Sequence, residues 1–230
     1  MAIIAAMTGE LKPLVRGWQH ERRNGVDLWR SVLSIDDEED REWVAACAGA
    51  GVDRATRAIA EIECDGAIDM LISAGWAGAL SDQFAPGKVY RASGVIDART
   101  GESYAATGWL QECWVVTSPK VADAREKARL ASSYGAGLVD MEAAGVARLA
   151  AMRCIPFYCI KGISDGFRDR LPDFNRFISE KGQFQRVRFI LYALIRPWQW
   201  PSLMRMGENS SKAAQGIKES VLEILRNEVL

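Results

Sequence analysis

Apolar residues along this chain fall into short uninterrupted runs separated by polar, glycine-bearing segments, and those runs set the expected elements. Ala2 to Met7 reads as a buried strand and Gly9 to about Trp18 as a helix. Residues 26–35 and 42–48 read as two strands, with the acidic segment Asp36 to Asp40 an exposed turn between them. After Gly49-Ala50-Gly51, the stretch Asp53 to Glu63 has helical amphipathic spacing. Asp69 to Ala74 is a strand closed by Gly75-Trp76-Ala77-Gly78. Lys88 to Ala98 reads as strand, and Arg99-Thr100-Gly101-Glu102 as the turn of a hairpin. Further along come a strand at Cys113 to Thr117, a helix at Ala122 to Tyr134, a short strand at Leu138 to Met141 and a helix at Glu142 to Met152. Pro156 to Ile163 is a strand ending at Ser164-Asp165-Gly166, and helices fill the remainder, broken at Pro197-Trp198-Gln199-Trp200-Pro201.

Strands alternating with helices predict an α/β fold, a three-layer αβα sandwich around a central mixed, largely parallel sheet. Strands covered on both faces read as continuous apolar runs, as these do. No linker divides the chain, so a single domain over residues 1–230 is expected, with 176–230 as its C-terminal helical extension. Open α/β sheets bind ligands beyond the carboxyl ends of their strands. Four segments fall there: Met7 to Glu10, Gly75 to Gly78, Met141-Glu142 and Ser164-Asp165. Hydrophobic patterning thus gives a cleft with carboxylates, and no substrate.

Composition narrows the class. Apolar residues make up 49 % and charged residues 26 % of the chain, a globular balance. A net charge of −1 supplies no field to gather nucleic acid. The five cysteines, Cys47, Cys64, Cys113, Cys154 and Cys159, show no CxxC spacing, and His20 is the single histidine, so no zinc set is expected. Buried free thiols in a reducing cytoplasm are the expected reading. No signal peptide is expected at the N-terminus, where Glu10 arrives early, and no run of about 18 apolar residues suggests a membrane span.

Motifs have bland readings when taken singly. Gly49-x-Gly51 lacks the third glycine of a dinucleotide loop, having Arg54 in that place, and reads as a tight turn. Glu10 and Glu142 fit the first turn of a helix, where negative charge is favoured, and Asp165 fits a cap. Their joint placement at the ends of buried strands is what points to chemistry.

The stretches Val139-Asp140-Met141-Glu142-Ala143-Ala144, Ile155-Pro156-Phe157 and Lys161-Gly162-Ile163-Ser164-Asp165 resemble the signature of the nucleoside phosphorylase superfamily, and within it the methylthioadenosine/S-adenosylhomocysteine nucleosidase branch. Ile4-Ala5-Ala6-Met7-Thr8-Gly9-Glu10 is similar to that branch's first strand and catalytic glutamate. Gly49-Ala50-Gly51 and Ser73-Ala74-Gly75-Trp76-Ala77-Gly78-Ala79-Leu80 are similar to its glycine-containing turns. The tail, with Arg196-Pro197 and the tryptophans that follow, resembles a hopanoid-associated subgroup linked to removing adenine from an adenosyl-hopane precursor.

The resemblance implies that a purine N-glycosidic bond is cleaved. Asp165 would protonate the base so that it leaves neutral, and Ser164 would orient it. An exposed aspartate titrates near about 3.9, so either burial raises Asp165 or it shares a proton already hydrogen-bonded to the base. Glu142 would bind the ribose hydroxyls and stabilise the oxocarbenium-like sugar, with Met141 against it. Glu10 would act as base on water. Gly75, Trp76, Ala77 and Gly78 would line the sugar and nucleophile site, and Phe174 or Phe167 would clamp the purine, with core packing the default for each phenylalanine. Neither a metal nor an organic cofactor is implied, and a homo-oligomer, often a dimer, is.

Water or phosphate as nucleophile stays open. Thr8-Gly9-Glu10 stands where many phosphorylases carry an arginine-containing loop, and a carboxylate repels phosphate; Lys161, with Arg54, Arg57 or Arg91, could supply a cationic pocket. Trp76 replaces the small serine usual in the hydrolase branch. Segment 189–206 sets tryptophans beside arginines, which suits either a membrane interface or a packed subunit contact. A phosphorylase on similar nucleosides and a noncatalytic nucleoside-binding protein are the two rival functions.

Overall fold

The computed structural model describes residues 1–33, 41–108, 113–169, 172–179 and 184–227. The first strand, β1 (Ala2–Ala5), is buried throughout. It leads into one helical turn, α1 (Thr8–Leu11), where the pattern predicts helix as far as Trp18. Pro13 cannot donate to a continuing ladder, and Gly17 turns the chain at φ +88°. Next come β2 (Gln19–Arg23), β3 (Val26–Leu33) and β4 (Arg41–Cys47), paired antiparallel in sequence. β2 is almost wholly exposed and polar, so no apolar run betrays it. The predicted turn Asp36 to Asp40 lies outside the described residues.

After α2 (Val52–Glu63), the strand β5 (Leu71–Ala79) runs straight through Gly75 to Gly78, the segment expected to close it. The stretch Lys88 to Ala98 divides into β6 (Val89–Arg91) and β7 (Gly94–Asp97), and β8 (Ser103–Ala105) completes the hairpin with β7. β9 (Trp114–Thr117), α3 (Ala124–Tyr134), β10 (Leu138–Asp140), α4 (Ala143–Arg153) and β11 (Phe157–Asp165) follow close to the expected positions. The tail folds into α5 (Arg186–Leu194) and α6 (Trp200–Asn227), joined by a short turn at Pro197–Gln199. Pro201 stands in the first turn of α6, where its missing N–H costs no ladder bond.

These strands make one mixed sheet of eleven, in the order β2-β3-β4-β1-β5-β10-β9-β7-β8, with β11 joining β5 to β6. β5 is its hub: Leu71 to Ser73 pair with β1, Gly78 and Ala79 with β10, and β11 runs parallel along the whole strand. Alternation sorts the core into two faces. Ala2 and Ile4 pack with Ile59 of α2 and Val146 of α4, while Ile3 and Ala5 pack with Leu11, Ile217 and Val221. Each such isoleucine stabilises the fold by roughly 1.5–3 kcal/mol on burial.

α6 lies flat on β11 because Gly162 has no side chain. A Cβ there would stand 2.6 Å from the Cβ of Ala213. Cys47, Cys113 and Cys159 are buried as expected, but Cys64 and Cys154 end their helices in the open and are exposed. Among the described residues, no helix is long and apolar enough to cross a membrane.

Candidate active site

The carboxyl ends of β1, β10 and β11 converge beside Trp76 to Gly78 of β5, and each of the three brings a carboxyl group to one place. Glu10 sits in the turn after β1. Its Oε2 accepts from the Met7 amide at 2.7 Å and its Oε1 from the Trp76 amide at 2.8 Å. The residue is 4 % exposed, and burial pushes its carboxyl up against the pull of those two amides and of Lys161. Gly75 makes the arrangement feasible: a Cβ at that position would meet Glu10 Oε1 at 2.9 Å.

Glu142 caps the start of α4. Its Oε1 accepts from the Gly51 amide at 2.7 Å, placing the carboxyl at the N-terminus of α2. Burial first, then the charge of Asp140, push its pKa up to about 8, against Lys161 and the Gly51 amide. Gly51 adopts φ +105°, which a glycine tolerates, and its N–H is taken by Glu142. The Gly49-x-Gly51 segment is thus the tight strand-to-helix turn expected of it.

Beneath these groups lies a network in which Lys161, expected as a ligand group, is instead held by Asp140 and Ser73, with Thr117 bonded to Asp140, pairings that the sequence does not reveal. Asp140 Oδ1 accepts from Thr117 Oγ1 at 2.7 Å, and its Oδ2 accepts from the Ala143 amide at 2.9 Å. Lys161 Nζ pairs with Asp140 Oδ2 at 2.8 Å and donates to Ser73 Oγ at 3.0 Å. Burial opposes the Lys161 charge, but Asp140 together with Cys159 and Glu142 raises its pKa above the ordinary lysine value. Asp140 and Thr117 fix the Met141-Glu142 turn, and the Ala144 amide also donates to Thr117 Oγ1 at 2.9 Å.

Asp165 ends β11. Ser164 Oγ donates to its Oδ1 at 2.6 Å, and the ammonium of Lys127, reaching in from α3, pairs with its Oδ2. Lys127 also donates to the Gly166 carbonyl at 2.7 Å and is 2 % exposed. Gly78 leaves room for the pair, since a Cβ there would stand 3.0 Å from Lys127 Cε and 3.2 Å from Asp165 Oδ2. Nothing in the sequence marks Lys127, which occupies a polar position of an ordinary amphipathic helix.

Of the expected site residues, Glu10, Trp76, Ala77, Gly78, Met141, Glu142, Ser164, Asp165 and Phe174 all line one cavity of about 580 Å³. Gly75 stands behind Glu10 instead of on the wall. Lys161 does not line the cavity either, its ammonium being engaged by Asp140 and Ser73. Phe174 packs beside Phe189 and Phe184 on the wall, whereas Phe167 does not reach it. Trp76 closes one side: its indole lies over Gly9, where a Cβ would come within 2.9 Å, and its Nε1 donates to the Ser210 carbonyl of α6 at 3.0 Å. The remaining wall is largely apolar, with Leu203, Met206 and Ala214 from α6. Among the described residues, no group of histidine, cysteine, aspartate or glutamate could hold a metal ion.

Comparison with known proteins agrees with this architecture. A family model described as the Phosphorylase superfamily matches residues 113–189, the stretch that carries Lys127, Asp140, Glu142, Lys161 and Asp165. No curated protein matches the sequence. Among solved structures, the 5′-methylthioadenosine/S-adenosylhomocysteine nucleosidase of Neisseria meningitidis, in complex with methylthio-immucillin-A, is 18 % identical with a TM-score of 0.71, covering 98 % of each chain. The Arabidopsis thaliana 5′-methylthioadenosine nucleosidase is 17 % identical with a TM-score of 0.70, over 97 % of this chain and 93 % of that one. Futalosine hydrolase of Helicobacter pylori is 15 % identical with a TM-score of 0.71, over 98 % of this chain and 97 % of that one. The fold is that of these nucleosidases, and it extends over nearly the whole chain.

Proposed function

We propose that the chain is a nucleosidase that hydrolyses the N-glycosidic bond of an adenosine-type purine nucleoside. The observation that carries this reading is the gathering of Glu10, Glu142 and Asp165, from three distant parts of the chain, onto one cavity. Ribose would sit against Met141 and Glu142, whose carboxyl would bind the sugar hydroxyls and, ionising as the oxocarbenium-like sugar develops beside it, would stabilise that positive charge. Glu10, raised by burial, is suited to take a proton from an attacking water. Asp165, oriented by Ser164, would serve the departing base, and Phe174 would stack on it.

Water is favoured over phosphate because Glu10 stands on the cavity wall and, among the described residues, no arginine does. Arg54, Arg57 and Arg91 do not line the cavity, and Arg91 bonds Glu223. The lysines that do line it are Lys12, Lys120 and Lys127, the last paired with Asp165. Incubation with adenosine, methylthioadenosine and S-adenosylhomocysteine, with and without phosphate, tests the choice. Free base and free sugar without phosphate are expected. Base released solely with phosphate would establish the phosphorylase instead, and no base from any nucleoside, adenosyl-lipids included, would leave a binding protein.

A lipid-linked adenosyl substrate of the hopanoid kind, met at a bilayer surface, is the more specific reading that the apolar wall supports. Phe189 of α5 lines the cavity, while Val187, Ile190, Leu191, Leu194, Ile195 and Trp198, in and just after that helix, are 55–72 % exposed. Residues 181–207 contain five cations and no acid. Exposed aliphatic and indole groups beside arginines suit an interface with anionic lipid. Co-sedimentation with phosphatidylglycerol vesicles is expected, and its loss in Leu194→Glu/Trp198→Glu. A concentration-dependent dimer that these changes dissolve, with no vesicle binding, would assign the face to a second copy.

A further inference from the structure

Asp165 does not stand alone in this arrangement. Both of its oxygens already accept, one from Ser164 Oγ and one from the Lys127 ammonium, so a base that approaches Asp165 meets a carboxyl coupled to that ammonium. The Lys127 ammonium brings N–H protons directly to Asp165 at this end of the cavity. That side chain is buried, lines the same cavity as Asp165, and holds the Gly166 carbonyl with a second N–H, which fixes its direction.

We propose that Lys127 is a positioning residue that acts through Asp165, supplying the proton that the departing base takes up. This inference rests on the nucleosidase reading. As the C1′–N9 bond breaks, its electron pair goes to the base. One Lys127 N–H proton passes to Asp165 Oδ2 and on to N7, leaving a neutral amine, a carboxylate and a neutral base. At the other end, water gives its oxygen to C1′ and its proton to Glu10. A proton passing from Glu10 to Lys127 through solvent restores both groups, so the cycle balances with water as the only co-reactant.

A merely structural salt bridge would serve equally well with arginine, whereas a proton supply would not, because a guanidinium does not give up its proton near neutral pH. Leaving-group chemistry separates the two further. A purine needs a proton to leave, and 4-nitrophenolate does not. The test compares wild type, Lys127→Arg and Lys127→Met on adenosine-type nucleosides and on 4-nitrophenyl β-ribofuranoside, with circular dichroism to establish folding. The expected result is a loss of about 100-fold or more in kcat with the nucleoside for both variants. Lys127→Arg should keep near wild-type kcat with the nitrophenyl riboside. Full nucleoside activity in Lys127→Arg, or equal losses on both substrates, would overturn the proposal while leaving the nucleosidase reading intact. A wild-type protein that cleaves neither substrate would overturn both.

Discussion

The carboxylate of Glu10 occupies the space that a side chain at position 75 would need, its Oε1 standing 2.9 Å from where a Cβ on Gly75 would be. A strand residue without a side chain thereby fixes where the Glu10 carboxylate can stand. Gly75→Ala should displace the Glu10 carboxylate and break its bond to the Trp76 amide, since the neighbour that must yield is held at both oxygens. A drop of about 10- to 100-fold in kcat with little change in KM is expected. Steady-state kinetics check it, and an unchanged kcat would show that Glu10 has freedom to shift.

Glu142 makes stability depend on pH. Its folded pKa is raised to about 8 from an ordinary 4.5. Below about pH 4.5 both folded and unfolded chains hold the proton, and the carboxyl is fully tolerated. As pH rises from there, the unfolded chain releases the proton first, so stability falls until pH passes the folded value. Glu142→Gln should abolish that slope, because an amide oxygen still accepts from Gly51 and never ionises. The variant is expected to melt several degrees above wild type at pH 8.5, with the gap closing toward pH 4.5, while losing hydrolysis by orders of magnitude. Calorimetric Tm against pH for the two proteins decides it.

The fold was legible where burial is two-sided. β1, β5, β10 and β11 show as apolar runs because both faces are covered, and the segments that end them point to Glu10, Glu142 and Asp165. β2 was not legible, since Gln19 to Arg23 carries no apolar alternation and is held by pairing with β3 alone. Gly75 to Gly78 reads locally as a turn, yet it is strand, because its glycines answer to side chains distant in sequence. Lys161 stood beside the Ser-Asp motif and invited a ligand role; its partner Asp140 becomes apparent once β10 and β11 have both been placed against β5. Lys127 had no signal at all, because a polar residue on an amphipathic helix reads as solvated until the helix is docked.

Pairing with Lys127 changes what Asp165→Asn should do. The amide cannot balance a buried ammonium, so this variant should lose stability as well as turnover, by about 3 kcal/mol. Adding Lys127→Met removes the stranded charge, and the double variant should regain much of that stability without regaining activity. Urea denaturation of the four proteins of this cycle measures the coupling. Additive single effects would mean that the ion pair contributes nothing to the fold.

Trp76 joins the cavity to the tail through one hydrogen bond. Its Nε1 donates to the Ser210 carbonyl, and α6 packs beyond it through Ala213 on Gly162. Trp76→Phe keeps an aromatic ring over Gly9 but deletes the donor, leaving a largely buried carbonyl with one partner fewer. A cost of about 1 kcal/mol is expected, concentrated on α6 and not spread over the sheet. Hydrogen exchange should therefore accelerate in the α6 turns around Ser210, with β5 and β11 as protected as before. Uniform acceleration across the sheet would indicate a general loss of stability, and no change would mean that apolar packing alone holds α6 over the cavity.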